Sequence, residues 1–365
     1  RHNYGYRNLR SFPLMLQFYG LPYIDVRLSF NSFIPADLDD DLATRLVDYY
    51  INLLLSKPNL HDKVEFEIVF SCYTLDLPQR LERLKKAGFS EHDINAISES
   101  LRKITNRIVD NENGLWINDF EKLNTLKTRY DELAGSSVDT LERIYWLLED
   151  AKRYGTLPFA GLARAGFVAV QMLQSLVAVG AISDQDYTDF MGDVTTISGK
   201  LGLDKIALNK CTFLEKYGHL RPGTYDILSP RYDETPDLYF DWTEQKSDPA
   251  TSGSFSLTLA KMEAIKKLLK DHNLQIDAEG LLSFMKSAIE LRELSKFHFS
   301  RNLSDVLVLI SDFGAKHNFN KEQLAYSDIT VFKELHIAAH DPKDALSSRI
   351  KSGKKHYSTA QRISL

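Results

Sequence analysis

From Pro78 almost to the C-terminus, apolar residues recur at steps of three and four, and one long stretch breaks that rhythm. The segments 94–108, 117–133, 138–154 and 158–182 each carry the pattern, and it returns over 257–340. Such spacing places the apolar side chains on one face of a helix, and that face has to be buried against another. A chain built this way can only be mainly α. Ser183-Asp184-Gln185-Asp186 reads as a cap and acidic first turn for a further helix reaching about Leu201, and 202–217 continues the helical trend.

The N-terminal part differs. Ile24, Val26, Leu28 and Phe30 alternate with polar residues, as do Val64, Phe66, Ile68 and Phe70, which is the period of half-buried strands. Between them, 37–55 has helical spacing through Leu42, Leu46, Tyr49, Tyr50 and Leu53. The expected fold is therefore a multi-helix domain with a small N-terminal α/β element. The expected layout is that element over 1–77, helices over 78–217, an irregular stretch over 218–256, helices over 257–345, and a basic linker or tail over 346–365. In that tail Arg349, Lys351, Lys354, Lys355 and Arg362 follow one another with no acid between them.

The break at 218–253 contains Pro222, Pro230, Pro236 and Pro249, and so long an irregular segment is usually functional or mobile. Its first half, Tyr217-Gly218-His219-Leu220-Arg221-Pro222-Gly223-Thr224-Tyr225-Asp226 and then Ser229-Pro230-Arg231-Tyr232-Asp233-Glu234, concentrates ionisable groups in a turn stiffened by proline and bent at glycine. Two readings stand side by side. His219 is a candidate general acid or base, with Arg221 and Arg231 as an anion clamp. Alternatively, both arginines pair with Asp226, Asp233 and Glu234 and lock the loop.

Hydrophobic content of 43%, charged content of 26% and a net charge of −5 describe an ordinary globular chain and give no pointer to nucleic acid or an anionic membrane. Cys72 and Cys211 are too few for a disulfide framework or a metal cluster and fit a reducing, cytoplasmic setting. The longest apolar run, 166–182, is interrupted by Gln171, Gln174 and Ser175 and reads as a buried core helix rather than a span. The chain opens without a leader and without Met, as an excised piece of a longer protein would.

Two motif fragments fail on spacing. Gly192 to Lys200 has six residues before Gly199-Lys200, where a phosphate loop has four, and Leu201 follows where Ser or Thr belongs. His336 and His340 have the spacing of a zinc helix, but Ile337 replaces the catalytic glutamate and no third ligand is evident, so no metal is expected. Arg292 and Lys296 are more informative. They lie four apart on a helix expected over 281–299, in line with Met285, Ile289, Phe299 and Leu303. A cation on an apolar face needs an anion, either a carboxylate of another helix or a ligand phosphate or carboxylate.

With these residues in view, the chain resembles the phosphoenolpyruvate synthase and rifamycin phosphotransferase superfamily of multidomain enzymes. The resemblance rests on Gly218-His219-x-Arg221-Pro222-Gly223-x-x-Asp226 with Pro230-Arg231 and Glu234. It rests also on Phe159-Ala160-x-Leu162-Ala163-Arg164-x-Gly166-Phe167, and on Arg292-Glu293-x-x-Lys296-Phe297 with Arg301-Asn302-Leu303. Ile24-Asp25-Val26-Arg27-x-Ser29-Phe30-Asn31-Ser32-Phe33 is similar to a segment of one uncharacterised branch. Such enzymes join an ATP-grasp domain to a swivelling domain whose phosphohistidine, in a Thr-x-His setting, carries the phosphoryl group to an acceptor. Neither a glycine-rich ATP-grasp pattern nor Thr-x-His occurs here, so the chain resembles the central helical domain alone. The resemblance implies an acceptor-binding role, with no cofactor held by this domain and with ATP and magnesium acting in the full-length protein. The partners it implies are a small or phosphate-bearing acceptor and the two missing domains in cis. It makes Arg292 and Lys296 the foremost candidates for meeting transferred phosphate. His219 follows as a catalytic candidate, and Arg221, Arg231 and Arg164 as substrate-binding ones.

Overall fold

The computed structural model describes residues 4–9, 12–242, 255–338 and 340–363. The chain is mainly α with one small antiparallel hairpin near the N-terminus, strands β1 (Met15–Phe18) and β2 (Leu21–Ile24). Tyr19 and Gly20 close it at φ +50° and +89°, the left-handed pair that a two-residue hairpin turn requires. Short α1 (Val26–Asn31) and long α2 (Asp40–Ser56) follow, then α3 (Leu77–Lys86), α4 (Glu91–Val109) and α5 (Leu115–Ala134). Next come α6 (Thr140–Asp150) and α7 (Leu157–Ala178), joined by a π-helical turn at Ala151–Thr156. The succession continues with α8 (Asp184–Asp193), α9 (Ile197–Ala207), α10 (Lys210–Tyr217), one-turn α11 (Pro236–Tyr239) and α12 (Leu259–Asp271). It ends with α13 (Ala278–Lys316), α14 (Lys321–Leu324), α15 (Thr330–Ile337) and α16 (Pro342–Ala360).

Both expected strand patterns need correction. Only Ile24 of the first lies in a strand, paired with Met15. The Asp25 side chain then accepts from Leu28 N at 2.9 Å and starts a helix, so Val26, Leu28 and Phe30 become helical. The second pattern, at Val64–Ile68, is a π-helical turn. No strand runs beside it among the described residues, and its carbonyls go to arginines of α3 instead. Arg80 donates to Phe66 O at 3.1 Å, and Arg83 donates to Glu67 O at 3.1 Å and Ile68 O at 2.9 Å. These side chains satisfy groups that a sheet would otherwise have paired.

The helical expectations hold with three adjustments. Ser183 and Asp186 do form a reciprocal capping box, but α8 stops at Asp193 and Thr196 caps a new helix by accepting from Gly199 N at 3.1 Å. The two helices expected over 138–154 and 158–182 run on without a break. Pro158 has no N–H to give and its ring crowds the turn before it; the wider π-helical turn at 151–156 absorbs that misfit. The stretch 346–365, expected as a basic linker or tail, is largely helix α16, with Leu346 and Ile350 buried. Its cations lie on the outer face: Arg349 pairs with Glu334, and Lys354 sits over the Tyr326 ring at 5.6 Å.

Two apolar cores organise the molecule. The larger draws on the N-terminal segment and on residues of α2 to α5, α7, α8, α12 and the first half of α13. The smaller joins α6 and Ile227 to the second half of α13, α15 and α16. Helix α13 therefore serves both. Its main partner is α7, whose Leu162, Ala165, Val168, Ala169, Met172, Leu173 and Leu176 are buried. The helical run Thr140–Ala178 is long and apolar enough to cross a membrane, and half of its most apolar window is buried against other helices.

Glycines let α7 and the turn before it approach α13. A Cβ on Gly166 would lie 3.2 Å from Ala288 O, and one on Gly155 would lie 2.5 Å from Phe299 Cβ. Gly155→Ala is therefore expected to lower the unfolding free energy by about 2 kcal/mol, because the methyl overpacks a rigid contact. Gly135→Ala, whose added methyl would meet only carbonyl oxygens at 3.7 and 3.8 Å, should stay within about 0.5 kcal/mol of the parent. Urea denaturation of the two variants checks this; equal stabilities would show that the α7–α13 approach is not tight at Gly155.

Candidate functional site

The proline-rich corner is bolted onto the middle of α13. Helix α10 is capped by Asn209, whose side chain accepts from Thr212 N at 3.0 Å. It ends at Tyr217, whose hydroxyl donates to Asp204 Oδ2 at 2.7 Å. The chain then doubles back: Tyr232 N donates to Leu220 O at 2.9 Å and Asp233 N to Gly218 O at 3.2 Å. The corner is thus a closed loop with its own ladder, seated on Phe297, Ser304 and Asp305 through His219, Arg221 and Arg231.

Arg221 is 7% exposed and has carbonyls and a hydroxyl for partners. Its Nε donates to Ser304 Oγ at 3.2 Å and its Nη2 to Ser304 O at 3.4 Å. Its Nη1 donates to Asp226 O at 3.4 Å and Ser229 O at 3.0 Å. Burial pushes its pKa down. Arg231 makes the ion pairs instead. It grips Asp233 with two parallel bonds of 2.9 and 2.7 Å and reaches Asp305 at 2.6 Å through Nη1. Burial works against its charge, but the bonds to Asp233 and Asp305 outweigh that and hold its pKa above the ordinary value. Asp305 also accepts the Tyr130 hydroxyl at 2.6 Å, and Arg301 lies over the Tyr130 ring at 4.4 Å. Glu234 accepts from Arg231 N at 3.0 Å and pairs with Lys321 at 3.7 Å. Of the two readings of this loop, the lock describes the observed bonding: Asp233 pairs as expected, while Asp226 contributes its carbonyl rather than its carboxylate to Arg221.

His219 is 6% exposed, packs edge-on against Phe297 with ring centroids 4.8 Å apart, and has no hydrogen-bond partner at Nε2. Burial pushes its pKa down to about 4, and the neighbouring Arg301 and Arg231 act in the same direction. The Phe297 backbone and Asp305 oppose them only in part. The imidazole is neutral at physiological pH and closed off by packing, a setting for a structural ring rather than a proton carrier.

The remaining candidates lie elsewhere. Arg164, on α7, donates to Ser32 O at 2.8 Å and is sandwiched between the rings of Tyr6 and Phe33 at 4.3 and 4.5 Å. Burial pushes its pKa down. Arg292 and Lys296 lie on α13 as expected, but both are exposed, so the notion that they interrupt a buried face is corrected. Arg292 lays its stem against Gly166 and its guanidinium over the Phe167 ring at 5.0 Å. Neither cation has a carboxylate partner among the described residues. Glu293, three residues before Lys296 on the same helix, accepts from Ser198 Oγ at 3.1 Å, and Glu290 accepts from Thr195 N at 2.8 Å.

The two motif fragments resolve as ordinary structure. Gly199 and Lys200 belong to the first turn of α9. His336 stacks on Tyr145 at 4.6 Å, whereas His340 lies beyond the end of α15, so the pair shares no helix face. No group of three His, Cys, Asp or Glu is placed to hold a metal among the described residues.

Compared with known proteins, the chain matches no family model, no curated protein and no solved structure. The sequence reading missed Tyr130, Ser304 and Asp305. The one signal for them was the Arg301–Asp305 spacing of four on α13.

The unfolded chain takes up a proton at His219 near pH 6.5, whereas the folded chain resists until about pH 4. The stability that the neutral His219 ring contributes is therefore complete above pH 6.5, falls as the pH drops from 6.5 to 4, and levels off below. The stabilisation of wild type over His219→Gln is expected to shrink by roughly 3 kcal/mol across that window. Urea titrations of both proteins at several pH values check this; a constant difference would mean that the ring is not held neutral.

Proposed function

We propose that this chain is the acceptor-substrate-binding central domain of an ATP-dependent phosphotransferase of the phosphoenolpyruvate synthase and rifamycin phosphotransferase kind. It is inert without an ATP-grasp domain and a phosphohistidine domain supplied in cis. The observation that carries the reading is the pair Arg292 and Lys296: two exposed cations one turn apart with no carboxylate partner among the described residues. The Arg292 guanidinium is held against Phe167. Phosphoryl transfer asks a protein mainly to position groups and neutralise charge, and a guanidinium with an ammonium one turn away suits a phosphate. The reading gives this role to Arg292 and Lys296 rather than to Arg221, Arg231 and Arg164, whose donors already hold the fold together.

This reading leaves ATP and magnesium to the ATP-grasp domain supplied in cis. The proposal places the chain in the cytoplasm, with a phosphate-bearing small molecule as its partner rather than nucleic acid or a membrane. A second reading, a non-enzymatic helical scaffold or interaction module, draws on the corner itself, whose arginines spend their donors internally.

Inorganic phosphate or pyrophosphate is expected to raise the melting temperature of the chain, and Arg292→Ala with Lys296→Ala should abolish the rise. A rise that survives the double substitution sinks the site assignment. The chain alone should show no ATP turnover, and measurable hydrolysis would overturn the domain reading.

A further inference from the structure

A second candidate site borders the corner without including His219 in its lining, and does not depend on the phosphate reading. Between the loop 224–227, the second half of α13 and the segment that links α14 to α15 is a cavity of about 370 Å³. That is within the range of about 300–1,000 Å³ typical of small-molecule pockets. Leu303, Leu307 and Ile310 of α13 with Phe332 of α15 make an apolar wall. The polar residues of the lining are Thr224, Tyr225 and Asp226 from the corner and Ser327 from the linking segment.

Asp226 is the only charged residue of the lining. Its Oδ1 accepts from Leu228 N at 2.9 Å, while its Oδ2 has no partner among the described residues. Arg221, whose charge also acts on Asp226, is buried, does not line the cavity and donates to the Asp226 carbonyl rather than to its carboxylate. Tyr225 is 73% exposed although it borders the cavity, so its ring is available to cover an occupant. An apolar chamber with one carboxylate oxygen to spare at its rim and no lining cation selects for shape and for positive charge.

We propose that this cavity binds a small molecule with an aromatic or branched apolar body and a protonated amine. The body packs on Leu303, Leu307 and Phe332, and the amine meets Asp226. Three indoles of the same ring size separate the contributions: tryptamine carries an ammonium, indole is neutral and indole-3-propionate is an anion. In calorimetric titrations of the chain, tryptamine should bind at least tenfold more tightly than indole, and indole-3-propionate should bind most weakly. Asp226→Asn, which keeps an oxygen for Leu228 N, should erase the tenfold preference. Leu307→Trp should fill the cavity and abolish binding; if that variant does not fold, the Asp226→Asn result decides. Arg292→Ala with Lys296→Ala should leave tryptamine binding unchanged, which keeps this site distinct from the phosphate site. No binding of any indole, equal binding of all three, or a preference that survives Asp226→Asn overturns the proposal.

Discussion

The close approach of α7 to α13 is the contact on which the rest of the molecule hangs. Gly166 lets the α7 backbone come down on Ala288, and Gly155 does the same against Phe299 just before α7 begins. Interiors are packed like organic crystals, so an approach this near leaves no slack for a shift of either helix. With α7 and α13 clamped, α5 and α6 are held against the same pair. The larger core forms on one part of α13 and the smaller core on the other.

The corner at 217–234 shows how a segment without regular structure becomes rigid. Its backbone makes its own ladder, and two arginines turn inward to bind it to α13. Arg221 does so as a neutral-partner donor, reading carbonyls and a serine hydroxyl. Arg231 does so as an ion pair with Asp233 and Asp305. A buried cation needs its donors satisfied, and Arg221 comes close to that limit with four bonds from its five N–H groups. His219 completes the arrangement as a packed ring with one nitrogen left over. A turn so rich in ionisable side chains looks chemical when read as a string. In three dimensions most of those groups are spent on each other.

Most of the longer helices from α2 to α13 were legible in the sequence because their apolar stripes repeat over several turns and some caps are written out, as Ser183 with Asp186 shows, whereas α16, rich in surface cations, read as a tail. The strands were not. Alternation over four or five residues suits a strand, a one-turn helix or a π-helical turn equally well, and the choice at 64–68 was made by Arg80 and Arg83, which lie on another helix. The same limit applied to the candidate site. That Arg231 has a nearby acid could be read from Asp233, two residues away, but its bond to Asp305 spans 74 residues of sequence. Periodicity placed Arg292 and Lys296 on the right helix. Their exposure was hidden because it depends on where α7 stops covering α13.

Helix α13 has one more property, which concerns mechanics rather than bonding. Its 39 residues make a rod roughly 58 Å long, shared by both cores. Stiff rods convert rotation into travel: a tilt of about 5° at one end carries the other through about 5 Å. The exposed cations stand on the first half of this lever and the apolar cavity on the second. Because the close contacts at Ala288 and Phe299 resist such a tilt, the rod instead holds the two places at a fixed separation.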